Sequence, residues 1–372
     1  MTLTATSTRS RTARLLWAAA ALLLAAAPSA QTVSGMVADG DGTPLPGASV
    51  YLSGTTRGDA TNTDGRYEIA DVPPGAYRLV ASMVGFEPAT QDIVVRAGAD
   101  LEVALVLEVG LELGNVEVEA GFDGEWLGRF DRFRKAIIGE SWRADSTSVL
   151  NPEVLSFEER GGALVAQAAA PLVIENRALG YRLVYDLTVF EARPDRIRYD
   201  GAERFEPLEP TSWRDSERWR EARMQAFEGS SAHFLRALLA GTLQEEGFSV
   251  GMVSRNGRVL EDAPANLMTT RDDGWGTLRA PRLLIVSFLE EEDPAYLWSE
   301  WFQEDRNVTR PVQRSGVQIE SGETLIDPQG TPQDPFALSG SGYFGFERLA
   351  DRVPEDYDPD AFDPADFTPT DF

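Results

Sequence analysis

A single histidine, His233, and 60 acidic side chains hold most of the chemistry open to this sequence of 372 residues. There is no cysteine, so disulfides, thiolate metal sites and cysteine nucleophiles are excluded. One imidazole per chain also excludes any mechanism that needs two. A serine–histidine pair is the sharpest remaining option, because Ser230 and Ser231 stand just ahead of His233. Residues two apart on a helix do not face each other, so Ser231 would not reach the ring. No G-x-S-x-G turn presents a nucleophile either. A serine at that place suits the cap of a helix, its oxygen accepting a first-turn N–H. The sequence therefore assigns no catalytic role to His233.

Paired carboxylates hydrolyse glycosides when they stand roughly 5 or 6.5–9.5 Å apart. Glu153, Glu158, Glu175 and Asp186 lie in a strand-rich block and are the best-placed acids for that work. Solvated strand faces and arginine partners account for such acids better, and no pair stands out. Asp39, Asp41, Asp59 and Asp64, or Asp356, Asp358, Asp360 and Asp363 near the C-terminus, offer oxygen ligands of the kind calcium takes. Neither set has the spacing of an EF-hand loop, and aspartate favours turns for local hydrogen-bonding reasons. No metal, cofactor or catalytic residue is assigned. Trp213 and Trp219, then Trp298 and Trp301, would stack on sugar rings if exposed, and belong to the core if not. Asn307-Val308-Thr309 forms a glycosylation sequon that is incidental in a chain of bacterial character.

The elements that must position these residues begin after an export signal. Arg9, Arg11 and Arg14 precede an apolar run of 13 residues, Leu15 to Ala27, followed by Pro28, Ser29 and Ala30. This is the pattern of a secretory signal peptide over residues 1–30, cleaved after Ser29 or Ala30, and too short for a membrane span. Cleavage removes three arginines and takes the net charge from −26 to −29. A surface so acidic repels phosphate backbones, so nucleic acid is not an expected partner. No later stretch is apolar enough to cross a bilayer as a helix.

Residues 31–119 read as an antiparallel β-sandwich. Short β-rich runs (Val33–Val37, Ala48–Leu52, Arg66–Ile69, Tyr77–Met83, Gln91–Arg96 and Leu101–Val109) alternate with Gly/Pro/Asp turns. Leu101, Val103, Leu105, Leu107 and Val109 repeat with period two, which buries one sheet face. The string from Ser34 to Pro88, with Gly35, Gly42, Pro46, Gly47, Thr63, Asp64, Gly65, Tyr67, Pro74, Gly75, Tyr77, Gly85 and Phe86 in order, resembles the carboxypeptidase regulatory-like domain. The resemblance implies a transthyretin-like sandwich that packs or binds, often at the N-terminus of Gram-negative outer-membrane receptors. It implies no peptidase: a zinc carboxypeptidase needs two histidines on its metal, and this chain has one.

The segment LELGNVEVEA is similar to the lead into a TonB-dependent receptor plug, but about 250 residues are too few for a plugged 22-stranded barrel. Residues 120–350 instead read as an α+β domain of unknown function. Trp126, Phe130, Phe133 and Ile137 fall at helical spacing in Glu125–Ile138, and further helices are expected at Trp213–Phe227 and Ser231–Glu245. Strands are expected at Val154–Glu158, Ala163–Ile174, Arg182–Phe190, Arg196–Tyr199, Phe248–Ser254, Arg282–Phe288 and Gly316–Ile319. Much of Phe133–Val250 resembles an uncharacterised family of exported bacterial proteins carrying the same N-terminal domain, with Ser148 near where relatives often have cysteine. That likeness implies architecture and export, and no reaction. Residues 351–372 hold eight acids among recurring prolines and are expected to be a disordered acidic tail. The expectation is an exported, non-enzymatic envelope protein whose sandwich binds a protein or polysaccharide. A carbohydrate-binding module and a carboxylate-based hydrolase in the second region are the alternatives.

Overall fold

The computed structural model describes residues 31–110, 123–254, 256–260, 267–292, 312–359 and 361. Residues 1–30, read above as a signal peptide, the LELGNVEVEA segment, Trp298, Trp301, the sequon and Asp360 and Asp363 lie outside them. The fold is predominantly β, and its described residues gather into three large hydrophobic cores and one small cluster of Tyr51, Val80 and Ala202.

The first core is the sandwich. Its strands are β1 (Gln31–Asp39), β2 (Ser49–Leu52), β3 (Gly58–Ala60), β4 (Arg66–Val72), β5 (Gly75–Ser82), β6 (Ala89–Val95) and β7 (Leu101–Leu107). They form two sheets, ordered β4-β1-β7 and β3-β2-β5-β6. Alternation is the cause: Val103, Leu105 and Leu107 turn inward from β7 while their neighbours stay exposed. Inward residues of β1, β2, β4 and β5 close the core, and the buried Tyr67 hydroxyl donates to Val103 O at 2.8 Å. The sandwich was expected to be antiparallel throughout, but β7 pairs with β1 in parallel register, Val33 opposite Leu101 through Asp39 opposite Leu107. Period-two burial is the same for either direction, so the pattern could not distinguish them.

The second core lies under α1 (Gly124–Ile137) and a six-stranded sheet among the described residues. The sheet comprises β8 (Thr147–Val149), β9 (Leu155–Arg160), β10 (Ala163–Ala168), β11 (Leu172–Asn176), β12 (Tyr181–Arg193) and β13 (Arg196–Pro207). Asp123 caps α1, its carboxylate accepting from Trp126 N at 2.7 Å. Phe133 and Ile137 are fully buried, and Trp126 and Phe130 pack beside them. The strand expected over Ala163–Ile174 is two strands separated at 169–171, each pairing with β12. Helix α2 (Trp213–Phe227) covers the sheet's end, its Trp219 ring against Gly180.

The third core joins α3 (Ser231–Ala240) to two sheets. The strands are β14 (Phe248–Val253), β15 (Val259–Leu260), β16 (Met268–Thr270), β17 (Gly276–Arg279), β18 (Leu284–Glu292), β19 (Val312–Ile319), β20 (Glu323–Ile326) and β21 (Leu338–Gly342). Among the described residues the sheets run β15-β14-β18-β19-β21 and β16-β17-β20, followed by the short helix α4 (Tyr343–Phe346). Helix α3 stops before the expected Glu245, because Gly241 adopts φ +75° and its N–H returns to Ala237 O. The region read as one α+β domain therefore holds two cores.

The largest departure is at the C-terminal end. Residues 351–359, expected within a disordered tail, run back between all three cores. Asp351 is buried against the second, Glu355 and Asp356 bond to the sandwich, and Tyr357 meets Phe227 of α2. Composition alone predicted otherwise; Asp351 and Asp356 have individual side-chain partners far away in sequence, Arg143 and Arg57 with Thr56.

Candidate functional site

His233 sits inside the third core's edge, between the rings of Phe227, Phe248 and Phe288. Its Nδ1 accepts from Gly229 N at 3.1 Å and its Nε2 lies 3.3 Å from Glu246 Oε2. Ser230 is the cap of α3, and its Oγ accepts from the His233 backbone N–H, not from the ring. No hydroxyl is aimed at the imidazole by these contacts. Ser230→Ala should therefore lower stability by about 1 kcal/mol, the ordinary value of a lost cap. A thermal scan checks it: a fall of a few degrees is expected, and an unchanged midpoint would remove the capping role.

The four sequence-selected carboxylates are not brought together. Glu175 is held by Arg177 at 2.7 Å and Arg182 at 3.2 Å, and these bonds keep its carboxyl below the usual range. Glu158 bridges Arg160 at 2.8 Å, and Glu153 is exposed. Asp186 is half-buried, and burial raises its pKa. Glu175 stands opposite Arg182, four residues along β12 from Asp186, which separates their backbones by roughly 14 Å. Glu158 lies on β9, beyond β10 from β12, and farther still. The turn aspartates are engaged locally: Asp39 accepts from Asp41 N and Thr43 N, Asp59 from Ala60 N and Glu68 N. Among the described residues no group of three or more His, Cys, Asp or Glu side chains could hold a metal. Trp219 is buried with its indole N–H on Arg177 O, whereas Trp213 is half-exposed beside Arg214.

Two features that the sequence reading missed stand out. One is a charged junction where the three cores meet. Arg352 reaches Glu203 at 2.6 Å, and Asp356 accepts from Thr56 and pairs with Arg57 at 3.1 Å. Glu355 N donates to Gly54 O at 2.8 Å, while Gly54 N donates to Glu203 O at 2.8 Å. Arg236 of α3 fixes the same segment by donating to Glu355 O, Tyr357 O and Gln329 O. Asp327, 1% exposed, accepts from Ala76 N of the sandwich and from Gln329 N and Thr331 N. Burial raises the pKa of Glu203 and Asp327, and pushes Glu355 up to about 8. A cavity of about 330 Å³ adjoins this junction, walled by Phe234, Arg236, Phe344 and residues 351–355. Most charges in the junction face an opposite charge or a backbone group that ties two cores together, so its chemistry is that of a clamp.

The other feature is an open cleft of about 890 Å³. One wall is the β12–β13 hairpin end, Arg193 to Tyr199. The other is Phe336 with the run Leu338 to Phe346 of β21 and α4, and Lys135, Glu140 and Arg348 complete it. Five cations (Lys135, Arg193, Arg196, Arg198 and Arg348) face three acids (Glu140, Asp195 and Glu320), in a chain whose net charge is −26. The Arg198 guanidinium lies 3.9 Å from the Phe336 ring centre. β21 is a sheet edge, and Gly342 holds φ +66° where a Cβ would meet Arg314 O at 2.4 Å. The wall thus mixes glycine backbone at Gly340, Gly342 and Gly345 with the Leu338, Phe344 and Phe346 side chains. The only hint in the sequence was the clustering of arginines in ARPDRIR.

A profile of the carboxypeptidase regulatory-like domain matches residues 32–108, and this stretch is such a domain. A TonB-dependent receptor of Formosa agariphila is 36% identical over 77 residues, which span 21% of this chain and 7% of the receptor. Among solved structures, a type II cohesin–X-dockerin complex from Acetivibrio cellulolyticus is 26% identical, covering 22% of this chain and 58% of that one, with a TM-score of 0.18. Catechol 1,2-dioxygenase from Acinetobacter sp. ADP1 is 14% identical over 23% of this chain and 55% of its own, with a TM-score of 0.19. The pilus 2b backbone protein of group B streptococcus is 18% identical over 23% of this chain and 43% of its own, at 0.19.

Proposed function

We propose that this is an exported, non-enzymatic protein of a Gram-negative cell envelope that binds an envelope polymer or partner protein. The observation that carries the reading is the 890 Å³ cleft, walled by cations, glycine backbone and aromatic rings. Such a lining can hold a ligand, and none of the sequence-selected acids or His233 enters it. The regulatory-like domain at 32–108, in the stretch that is similar to a TonB-dependent receptor, supports the address. So does the signal-peptide pattern of residues 1–30. Among the described residues no helix is long and apolar enough to cross a membrane. The sandwich is joined by hydrogen bonds to both following cores, so it works as part of one body with the cleft.

The test is capture from solubilised envelope fractions by the immobilised chain, alongside the charge-reversed pair Arg196→Glu and Arg198→Glu. A polymer or protein retained by the unaltered chain and lost by the pair is expected. Equal retention by both, or none by either, overturns the assignment of the cleft. N-terminal sequencing of exported protein should begin at Ala30 or Gln31, and retention of the leader in the cytoplasm overturns the address.

A further inference from the structure

The hairpin end that forms one wall of the cleft is assembled against its own electrostatics. In the β12–β13 ladder Arg193 stands directly opposite Arg196, and like charges facing each other across strands are destabilising. Glu191 is the cross-strand partner of Arg198, the position from which it could neutralise that guanidinium. Its carboxylate instead bonds Arg193 at 2.7 Å. Arg198 is left stacked on Phe336, and neither Arg196 nor Arg198 has a carboxylate partner among the described residues. Arg196 and Arg198 are two apart on one strand, so both project to the same side.

In a chain with 60 acids against 34 bases, this arrangement is not forced by a shortage of carboxylates. An external oxyanion entering the cleft would recover its cost. Arginine suits that task, since its planar fork grips carboxylate or sulfate through two parallel hydrogen bonds. The stack on Phe336 holds one fork in place before the ligand arrives, which reduces the ordering cost of binding. The facing wall of Ser339, Gly340 and Ser341 offers the Ser339 hydroxyl and exposed chain to match sugar hydroxyls, while the Ser341 hydroxyl donates to Gly316 O. With two serines about a glycine, this stretch carries no apolar side chain for an extended peptide to read. A volume of about 890 Å³ is at the upper end of small-ligand sites, room for several linked rings.

We infer that the cleft binds an acidic oligosaccharide, its carboxylate or sulfate groups gripped by Arg196 and Arg198 and its hydroxyls set against the Ser339–Ser341 wall. The inference rests on reading the cleft as the recognition site and names the ligand class it would take. Titration calorimetry of the full chain with four probes tests it: hexagalacturonate, a sulfated hexasaccharide, neutral cellohexaose and hexa-aspartate. At least one acidic saccharide should bind, with affinity falling severalfold between 50 and 300 mM salt, as screening requires. The double variant Arg196→Gln, Arg198→Gln should weaken it tenfold or more with an unchanged melting temperature. Arg66→Gln, on the distant strand β4, should not. Binding of neither acidic saccharide overturns the inference, as does equal or tighter binding of cellohexaose or hexa-aspartate. If envelope capture still depends on the cleft while both acidic saccharides fail, the ligand class is wrong and the binding function stands. Loss of both removes both.

Discussion

Arg143→Ala should melt about 10 °C below the unaltered chain. Arg143 and Asp351 are paired at 3.2 Å with 7% and 3% of their side chains exposed. Asp351 opens the segment that returns between the cores, next to Leu349 and Ala350, which close the second core. Deleting the guanidinium leaves a carboxylate in that apolar surrounding without its counter-ion. Breaking such a pair from one side costs about 3–5 kcal/mol. At roughly 2–4 °C per kcal/mol for domains of this size, the midpoint falls by about 10 °C. Replacing both partners by apolar residues, Arg143→Met with Asp351→Leu, should recover at least half of the loss, because no charge is then stranded. A single variant within about 2 °C of the unaltered chain would show that the pair does not hold the segment. A double variant no better than the single one would place the loss in packing rather than charge.

That segment also marks where reading from the sequence stops. The sandwich was legible because its information is local: period-two burial in β7, and turns such as Asn62–Gly65, where Asn62 Oδ1 accepts from Asp64 N and Arg66 N. Helix α2 was legible to its ends, since Glu228-Gly229 breaks it and Gly229 takes φ +71°. Strand direction was not, because alternation is blind to it, and β3 offered three exposed residues with no apolar signal. The return segment was misread for a physical reason. Composition measures whether a stretch can bury a core of its own, and residues 351–359 do not. They supply single acceptors and donors to groups such as Thr56, Arg57 and Arg236, which sequence distance hides.

The candidate site was legible only in fragments. The arginines of ARPDRIR are visible as a cluster, but their register across the hairpin and the stack of Arg198 on Phe336 arise from the fold. Of the residues weighed for chemistry, His233 is packed among aromatic rings, Glu158 and Glu175 are paired with arginines, Asp186 is half-buried and Glu153 is exposed, and the four carboxylates do not converge. Residue type marks what a group can do, whereas burial and partners decide whether it is free to do it.

The junction makes a second large effect, one that depends on pH. Burial, opposed by Arg352 and reinforced by Glu203, Asp327 and Asp356, pushes Glu355 from its ordinary 4.5 to about 8. A carboxyl with a raised folded-state pKa binds its proton more tightly in the folded chain. Its contribution is therefore fully present below pH 4.5 and is lost as pH rises through about 8. The shift converts to at most about 5 kcal/mol, and solvent screening of a side chain 26% exposed leaves about 2 kcal/mol. Glu203 and Asp327, raised by burial as well, act in the same direction. Glu355→Gln copies the protonated form and removes one of the three contributions. Its melting temperature should match the unaltered chain at pH 4.5 and exceed it by several degrees at pH 9. The unaltered chain should lose stability steadily across that interval. Parallel curves for the two proteins would mean that Glu355 ionises in the folded chain as freely as in water. The clamp would then owe its hold to its other contacts, the backbone bonds at Gly54, Asp356, the Arg352–Glu203 pair and Arg236. A Gln variant less stable at every pH would instead assign Glu355 to a charged partnership with Arg352, 4.0 Å away.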